Sequence, residues 1–313
     1  MEKTEEKVIT TQAEIKLKTL NEIQSEIKNY PLIAGGPNQL DSLRMDYIKN
    51  LYNYTGRNVI CYYSNWLINS NAYLCDINDN DLNGFVDQVN MMNCNQGLDL
   101  ILHTPGGSPT ATQGIVNYLR SKFNDIRVIV PHMAMSAGTM LSCAADKILM
   151  SSHSSLGPID PQISGIPAFN IKKEFDEAKE DLRINPNNFN YWNILLSKYP
   201  ASFYNFVEDA INLSGELINQ WLNNYMFKRK KNKRKINKIV STLNSNTKSH
   251  SNHLNYDTCK KMGLVVEKLE EDEKLYNLVM NIHNCYFLTI MSTVASKLIE
   301  SKDGRFIISS PQK

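Results

Sequence analysis

The chain has 313 residues, with 34 basic and 32 acidic side chains and a net charge of +2. So even a balance excludes a supercharged nucleic-acid coat or an acidic tail as its main character. Hydrophobic residues at 42% and charged residues at 21% are the proportions of a folded protein, not a disordered one.

At this length the chain can bury roughly three quarters of its unfolded surface, as one large domain with appendages or as two domains. The six cysteines form no CxxC pair, so zinc-ribbon and thioredoxin-type motifs are absent. Reduced, mostly buried thiols in a cytoplasmic protein are the expectation. Residues 1–18 are charged throughout and do not read as a secretory leader. No run approaches the roughly 20 apolar residues of a membrane-spanning helix.

Residues 1–30 are rich in Glu, Lys and Gln and read as a helical arm. Tyr30-Pro31 and Gly35-Gly36-Pro37 end it, giving an N-terminal segment 1–37. A central domain is expected over 38–266. Residues 59–63 read as a strand, and Leu82, Phe85, Val86 and Val89 form the apolar face of a helix. Residues 98–103 read as a buried strand stopping at Pro105-Gly106-Gly107. Thr110 with Gln113 fits a capping box for the next helix. A strand at 126–130, a helix of small residues at 137–145 and a strand at 147–150 follow. Strand–helix–strand alternation at this spacing predicts parallel strands with right-handed crossovers.

Beyond Pro167 the pattern turns helical over 168–240. Trp192, Trp221 and several Tyr and Phe are expected to bury a satellite core. The run 228–238 is basic. It reads as a solvated face, with nucleic acid or anionic lipid as a lesser partner class because no aromatics are interleaved. A short helix at 258–262 ends at Gly263, with a strand at 264–266. A long helix over 275–298 dominates a C-terminal helical extension, 267–313.

Two motifs carry the chemistry. In Leu102-His103-Thr104-Pro105-Gly106-Gly107 a strand ends on two glycines, and free N–H groups there can form an anion nest. A plain turn is the alternative. Ala134-Met135-Ser136-Ala137-Gly138 follows a strand and opens a helix, as a relative of the G-x-S-x-G elbow with Ala first. Its alternative is a Ser N-cap, worth about 1 kcal/mol. Together the motifs place donors and a hydroxyl at one sheet edge, which is the geometry of acyl transfer. His103 and His132 lie at strand ends without metal-ligand spacing, and no metal or cofactor is expected.

The stretch LILHTPGGSPTAT…MAMSAGTMLSCAADKILMSSHSSLGPIDPQ resembles the serine dehydrogenase proteinase family, distant relatives of the Clp proteolytic subunit and signal-peptide peptidase A. The resemblance extends back to RNVICYYSNWL and forward to Gly263-Leu264, covering roughly 40–265. It implies an α/β fold, the ClpP/crotonase-like spiral of ββα units with added helices at both ends. It also implies a serine peptidase acting on peptides or unfolded protein, independent of ATP, and a homo-oligomer. Ser136 matches the nucleophile, and Gly106, Gly107 and the N–H of Ala137 match the oxyanion donors. Asp160 in GPIDPQ matches the triad Asp. His250, counted back from Gly263-Leu264, matches the His, although the following Ser251-Asn252 departs from the family's His-Asp-Tyr-Pro. A lysine base, Lys172 or Lys173, is the rival drawn from signal-peptide peptidase A. A crotonase-like acyl-CoA enzyme and a non-catalytic scaffold are the competing functions.

Overall fold

The structure is a computed structural model and describes residues 15–32, 34–68, 72–229, 232–244 and 253–309. An extended stretch at 15–19 leads into α1 (Leu20–Asn29), closed by a reciprocal capping box between Thr19 and Glu22. Then come α2 (Gln39–Thr55), β1 (Asn58–Ser64), α3 (Ala72–Cys75), α4 (Asp81–Val89), β2 (Leu98–His103) and α5 (Pro109–Lys122). The middle of the chain continues with β3 (Ile126–Val130), β4 (Met133–Ala134), α6 (Ala137–Cys143), β5 (Lys147–Met150) and β6 (Ser155–Leu156). A tight hairpin, β7 (Gln162–Ile163) and β8 (Ile166–Pro167), precedes α7 (Ala168–Ile184), α8 (Phe189–Leu196) and α9 (Phe203–Trp221). The chain closes with α10 (Lys233–Asn244), α11 (Tyr256–Met262), β9 (Val266–Lys268), α12 (Glu273–Ser292), β10 (Ala295–Glu300) and β11 (Arg305–Ser309).

Seven strands form the main sheet in the order β11-β10-β1-β2-β3-β5-β9. β1, β2, β3, β5 and β9 run parallel, and β10 joins β1 antiparallel. Every residue of β1 and β2 is buried, as parallel strands covered on both faces require. Alternation assigns the faces. Leu100, Leu102, Val128, Val130 and Ile148 pack with α4, α5, α6 and α9. Ile101, Ile129, Leu149, Cys61 and Tyr63 pack with α1, α2 and α12. The expected α/β architecture on parallel strands is therefore observed.

A second, minor ladder crosses the carboxyl edge of this sheet. β4 pairs β6 in parallel, and isolated bridges extend it from Thr104 to Ala134 and from Leu156 to Leu254. The unit β3–β4–α6 is thus strand, short strand, helix, the ββα pattern that the resemblance implied.

Several local expectations change. The cap of α5 is Ser108, whose hydroxyl accepts from Ala111 N, with Pro109 at the first helical position. Pro has no N–H to leave unsatisfied there, so the helix starts before Thr110, whose hydroxyl meets Ser108 Oγ at 2.9 Å. Trp221 is fully buried in the main core, not in a satellite. Trp192 instead donates its indole N–H to Asp181 at 2.6 Å. The satellite core is Ala168, Ile171, Val207 and Ile211. The long C-terminal helix stops at Ser292 and strands follow, so 267–313 is not a helical extension alone. Leu298 kept helical spacing in sequence, but all six residues of β10 are buried against β1.

The N-terminal stretch is held by a side-chain ladder. Asn277, Asn281 and Asn284 lie along one face of α12. Their amides donate to the carbonyls of Ile15, Lys16 and Lys18 at 3.2, 2.9 and 3.0 Å. These bonds satisfy backbone that pairs with no strand among the described residues.

Candidate active site

Ser136 sits between β4 and α6 with φ 49° and ψ −115°. A non-glycine residue in this region is strained by about 1–3 kcal/mol and persists only where the surroundings enforce it. The enforcement is visible. Met135 N donates to Thr104 O at 3.0 Å, Gly138 N to Met135 O at 2.7 Å and Met140 N to Ser136 O at 3.1 Å. Ser136 occupies the N-cap position of α6 but its side chain makes no capping hydrogen bond. The Ser N-cap alternative is therefore not what the hydroxyl does. The residue is half-buried, and among the described residues its Oγ has no hydrogen-bond partner.

Three glycines from three segments surround this turn. A Cβ on Gly106 would lie 2.6 Å from Ser136 Cβ, 2.7 Å from Met135 O and 2.8 Å from Ala137 N. A Cβ on Gly138 would strike Thr104 Cγ2 at 2.6 Å, and one on Gly157 would lie 3.1 Å from Ser136 N. The diglycine turn and the serine elbow are thus in contact, and backbone packs on backbone. Gly106 and Gly107 have φ of 102° and 150°, conformations open to glycine.

The amides divide into engaged and free. Gly106 N donates to Thr104 Oγ1 at 3.2 Å. Among the described residues, Gly107 N–H and Ala137 N–H have no acceptor. Of the three expected donors, Gly106 is thus engaged locally, whereas Gly107 and Ala137 are not, among the described residues.

A buried ion pair fixes the diglycine turn from outside. Ile77 forms a parallel bridge with Gly107, its N–H donating to Gly106 O at 2.7 Å and its carbonyl accepting from Ser108 N at 2.8 Å. The Ile77 segment is anchored through Asp81, which accepts from Asn78 N at 3.0 Å and from Tyr62 Oη at 2.9 Å. Lys297, from β10, pairs with Asp81 at 2.6 Å and donates to Asp76 O at 2.8 Å, with both charged side chains fully buried.

Asp160 is fully buried, and its Oδ2 accepts from Gln162 Nε2 at 2.8 Å. His250 lies outside the described residues. Its neighbour in sequence, His253, is exposed and meets Ser155 Oγ at 2.8 Å through Nδ1. Lys172 lies in a cluster of acceptors, with Glu208 at 2.7 Å, Tyr204 Oη at 2.6 Å and Asp176 at 3.2 Å. The hydrogen bonds that Lys172 donates to Glu208 and Tyr204 push its pKa up and hold it as an ammonium, the reverse of what a lysine base needs. Lys173 is largely exposed and pairs with Glu177 at 3.3 Å. The rival lysine base is not supported by these surroundings.

The opposite face of the same sheet edge carries a cluster that the sequence did not reveal. His103 and His132 stack at 5.4 Å between ring centroids, His283 from α12 lies 5.6 and 5.9 Å from them, and His153 is 6.5 Å from His132. Burial lowers the pKa of His103 well below the ordinary imidazole range, and neighbouring His283 and His132 add to it. Burial takes His283 down to about 3. Among the described residues no group of His, Cys, Asp or Glu is arranged to hold a metal ion.

Sequence reasoning also missed Thr139. Its hydroxyl lies 3.0 Å from Ala134 O and 2.9 Å from Gly157 O and accepts from Gly157 N at 2.9 Å, tying the elbow to the next loop. The small residues at 138 and 157 were the available signal for such close packing.

Residues 73–294 match the profile of the family described as ClpP-like SDH-type serine proteinase. Two curated proteins of Methanocaldococcus jannaschii are similar to the chain. The uncharacterized protein MJ0137 is 46% identical over 84 residues, 27% of this chain and 29% of that protein. The uncharacterized protein MJ1495 is 30% identical over 182 residues, 58% of this chain and 56% of that protein. The chain thus spans from under a third to about half the length of these relatives.

Proposed function

The chain belongs to the ClpP-like SDH-type serine proteinases, and from that premise we propose that it is a serine peptidase working through an acyl-enzyme on Ser136. One observation carries the reading. Ser136 is held in a strained, uncapped and only half-buried elbow packed against Gly106, and the N–H groups of Ala137 and Gly107, the residues that follow each, have no acceptor among the described residues.

In this reading Ser136 Oγ attacks the scissile carbonyl carbon of a peptide or unfolded protein. A neutral imidazole, assigned to His250, takes the hydroxyl proton, because serine is a weak nucleophile without an adjacent base. Asp160 orients that imidazole and stabilises its cation. The N–H groups of Gly107 and Ala137 donate to the oxyanion, a contribution of about 3–4 kcal/mol for a single donor in comparable sites. The tetrahedral intermediate collapses, the C–N bond breaks, and the imidazolium returns its proton to the amine. Water then attacks the ester by the same route in reverse. A cytoplasmic homo-oligomer independent of ATP completes the proposal. Among the described residues no helix is long and apolar enough to cross a membrane.

Labelling by a fluorophosphonate probe tests this. Wild type is expected to label at Ser136, with no labelling in Ser136→Ala and a large loss in His250→Ala. A wild-type protein that takes up no probe overturns the peptidase reading in favour of the scaffold. Probe uptake in His250→Ala at the wild-type rate removes His250 from the triad.

A further inference from the structure

A groove of about 610 Å³ lies between α9 and the β7–β8 hairpin. Its helical wall is one face of α9, with Phe206, Asp209, Leu213 and Glu216 at spacings of three, four and three residues. Ile163 and Leu213 are half-buried and root this floor in the satellite and main cores. Phe206 is 57% exposed and tilts against Phe203 at 6.2 Å between ring centroids, so it presents a ring face to the groove's mouth.

Two observations connect the groove to the elbow. Pro109, which lines it, is two residues beyond Gly107, and Pro161 directly follows Asp160. Gln162, a third lining residue, holds the Asp160 carboxylate at 2.8 Å. The charge is one-sided. Asp209 and Glu216 are exposed at the rim and have no ion-pair partner among the described residues, and no cation lines the groove.

We propose that this groove is a substrate subsite selecting a basic side chain, Arg or Lys, in an extended peptide. The aliphatic stem of such a side chain lies along Ile163, Leu213 and Phe206 while its charged head reaches Asp209 and Glu216. A guanidinium also stacks favourably on the face of Phe206. An acidic side chain in the same place meets two like charges, and that repulsion supplies the discrimination. The identity of the substrate rests on the peptidase reading above, whereas the groove's preference is measured by binding alone.

The test uses the full chain as Ser136→Ala, which binds without turnover. Fluorescein-labelled peptides differing at one central residue, Arg, Leu or Glu, are titrated by anisotropy at low salt. The Arg peptide is expected to bind about tenfold tighter than the Glu peptide, the combined effect of two exposed carboxylates. Asp209→Asn with Glu216→Gln, conservative changes at exposed positions, is expected to reduce that ratio to about twofold or less. Equal affinities for the Arg and Glu peptides overturn the proposal, as does an unchanged ratio in the double variant or no peptide binding at all. A groove filled by a second copy would appear in light scattering as an oligomer that Phe206→Glu converts to monomer, with no peptide bound to wild type. That result also overturns it. Wild-type protein that takes up no probe while the Ser136→Ala protein keeps the Arg preference would remove the peptidase reading and leave the subsite.

Discussion

Gly106 has no side chain where Ser136 has one: a Cβ added to Gly106 would sit 2.6 Å from the Cβ of Ser136. Two backbone segments, 104–107 and 135–138, therefore approach as closely as atoms allow. The next residue in each segment, Gly107 and Ala137, has an N–H with no acceptor among the described residues.

Gly106→Ala is expected to abolish probe labelling and lower stability. The new methyl meets Met135 O and Ala137 N, which are backbone atoms and cannot swing aside. Its φ of 102° adds strain of about 1–3 kcal/mol for an L residue. Gly114→Ala is the control. It lies within α5 with nothing within 4 Å of the added carbon, so it is expected to stabilise by about 0.5–1 kcal/mol. Urea unfolding of the two variants checks this, and equal effects of the same sign would contradict it.

Ser136→Gly is expected to lose labelling and gain stability. Glycine adopts the observed φ of 49° without the steric penalty that serine bears. The gain is about 1 kcal/mol, less the entropy glycine adds to the unfolded chain. Ser136→Ala loses labelling with no such gain. A Ser136→Gly protein less stable than Ser136→Ala would show that the elbow is not strained.

Lys297→Met is expected to cost about 3–5 kcal/mol, because it leaves the Asp81 carboxylate buried and uncompensated. The same change is expected to slow probe labelling, since Asp81 anchors the Ile77 segment that pairs with Gly107. Asp81→Asn in the Lys297→Met background is expected to recover much of the loss, giving a large coupling in a double-mutant cycle. Additive losses would place the pair outside any shared network.

Acid is expected to destabilise the protein through the histidine cluster. His103 and His283 have folded-state pKa values below the usual 6.5, so both are neutral in the native protein. Below pH 6.5 the unfolded chain binds protons that the native state excludes, and stability falls as pH falls toward the folded pKa values. The slope is about 1.4 kcal/mol per pH unit for each such imidazole. For His283 the window runs from 6.5 down to about 3. His283→Leu is expected to flatten the loss between pH 6.5 and 5, as read by chemical unfolding at each pH. An unchanged slope would mean that the ring is protonated in the native protein.

Local chemistry carried much of this protein. Near-continuous apolar runs in 98–103 and 126–130 determined buried parallel strands, and paired glycines next to a small-residue serine turn determined where backbone had to come close. Those signals are legible because they act over a few residues and have few solutions. Other features depended on partners far along the chain. Lys297 reaches Asp81 across 216 positions, as 297 − 81 shows, and Asn277, Asn281 and Asn284 take up carbonyls of the opposite terminus. No local pattern marks such pairs, since each partner alone reads as an ordinary polar residue. The single-residue step from His103 to Thr104 makes the point at one strand end. Sequence placed both near the serine, but the pleat sends one to the α12 face to join three other histidines and the other beneath Gly138 at the elbow.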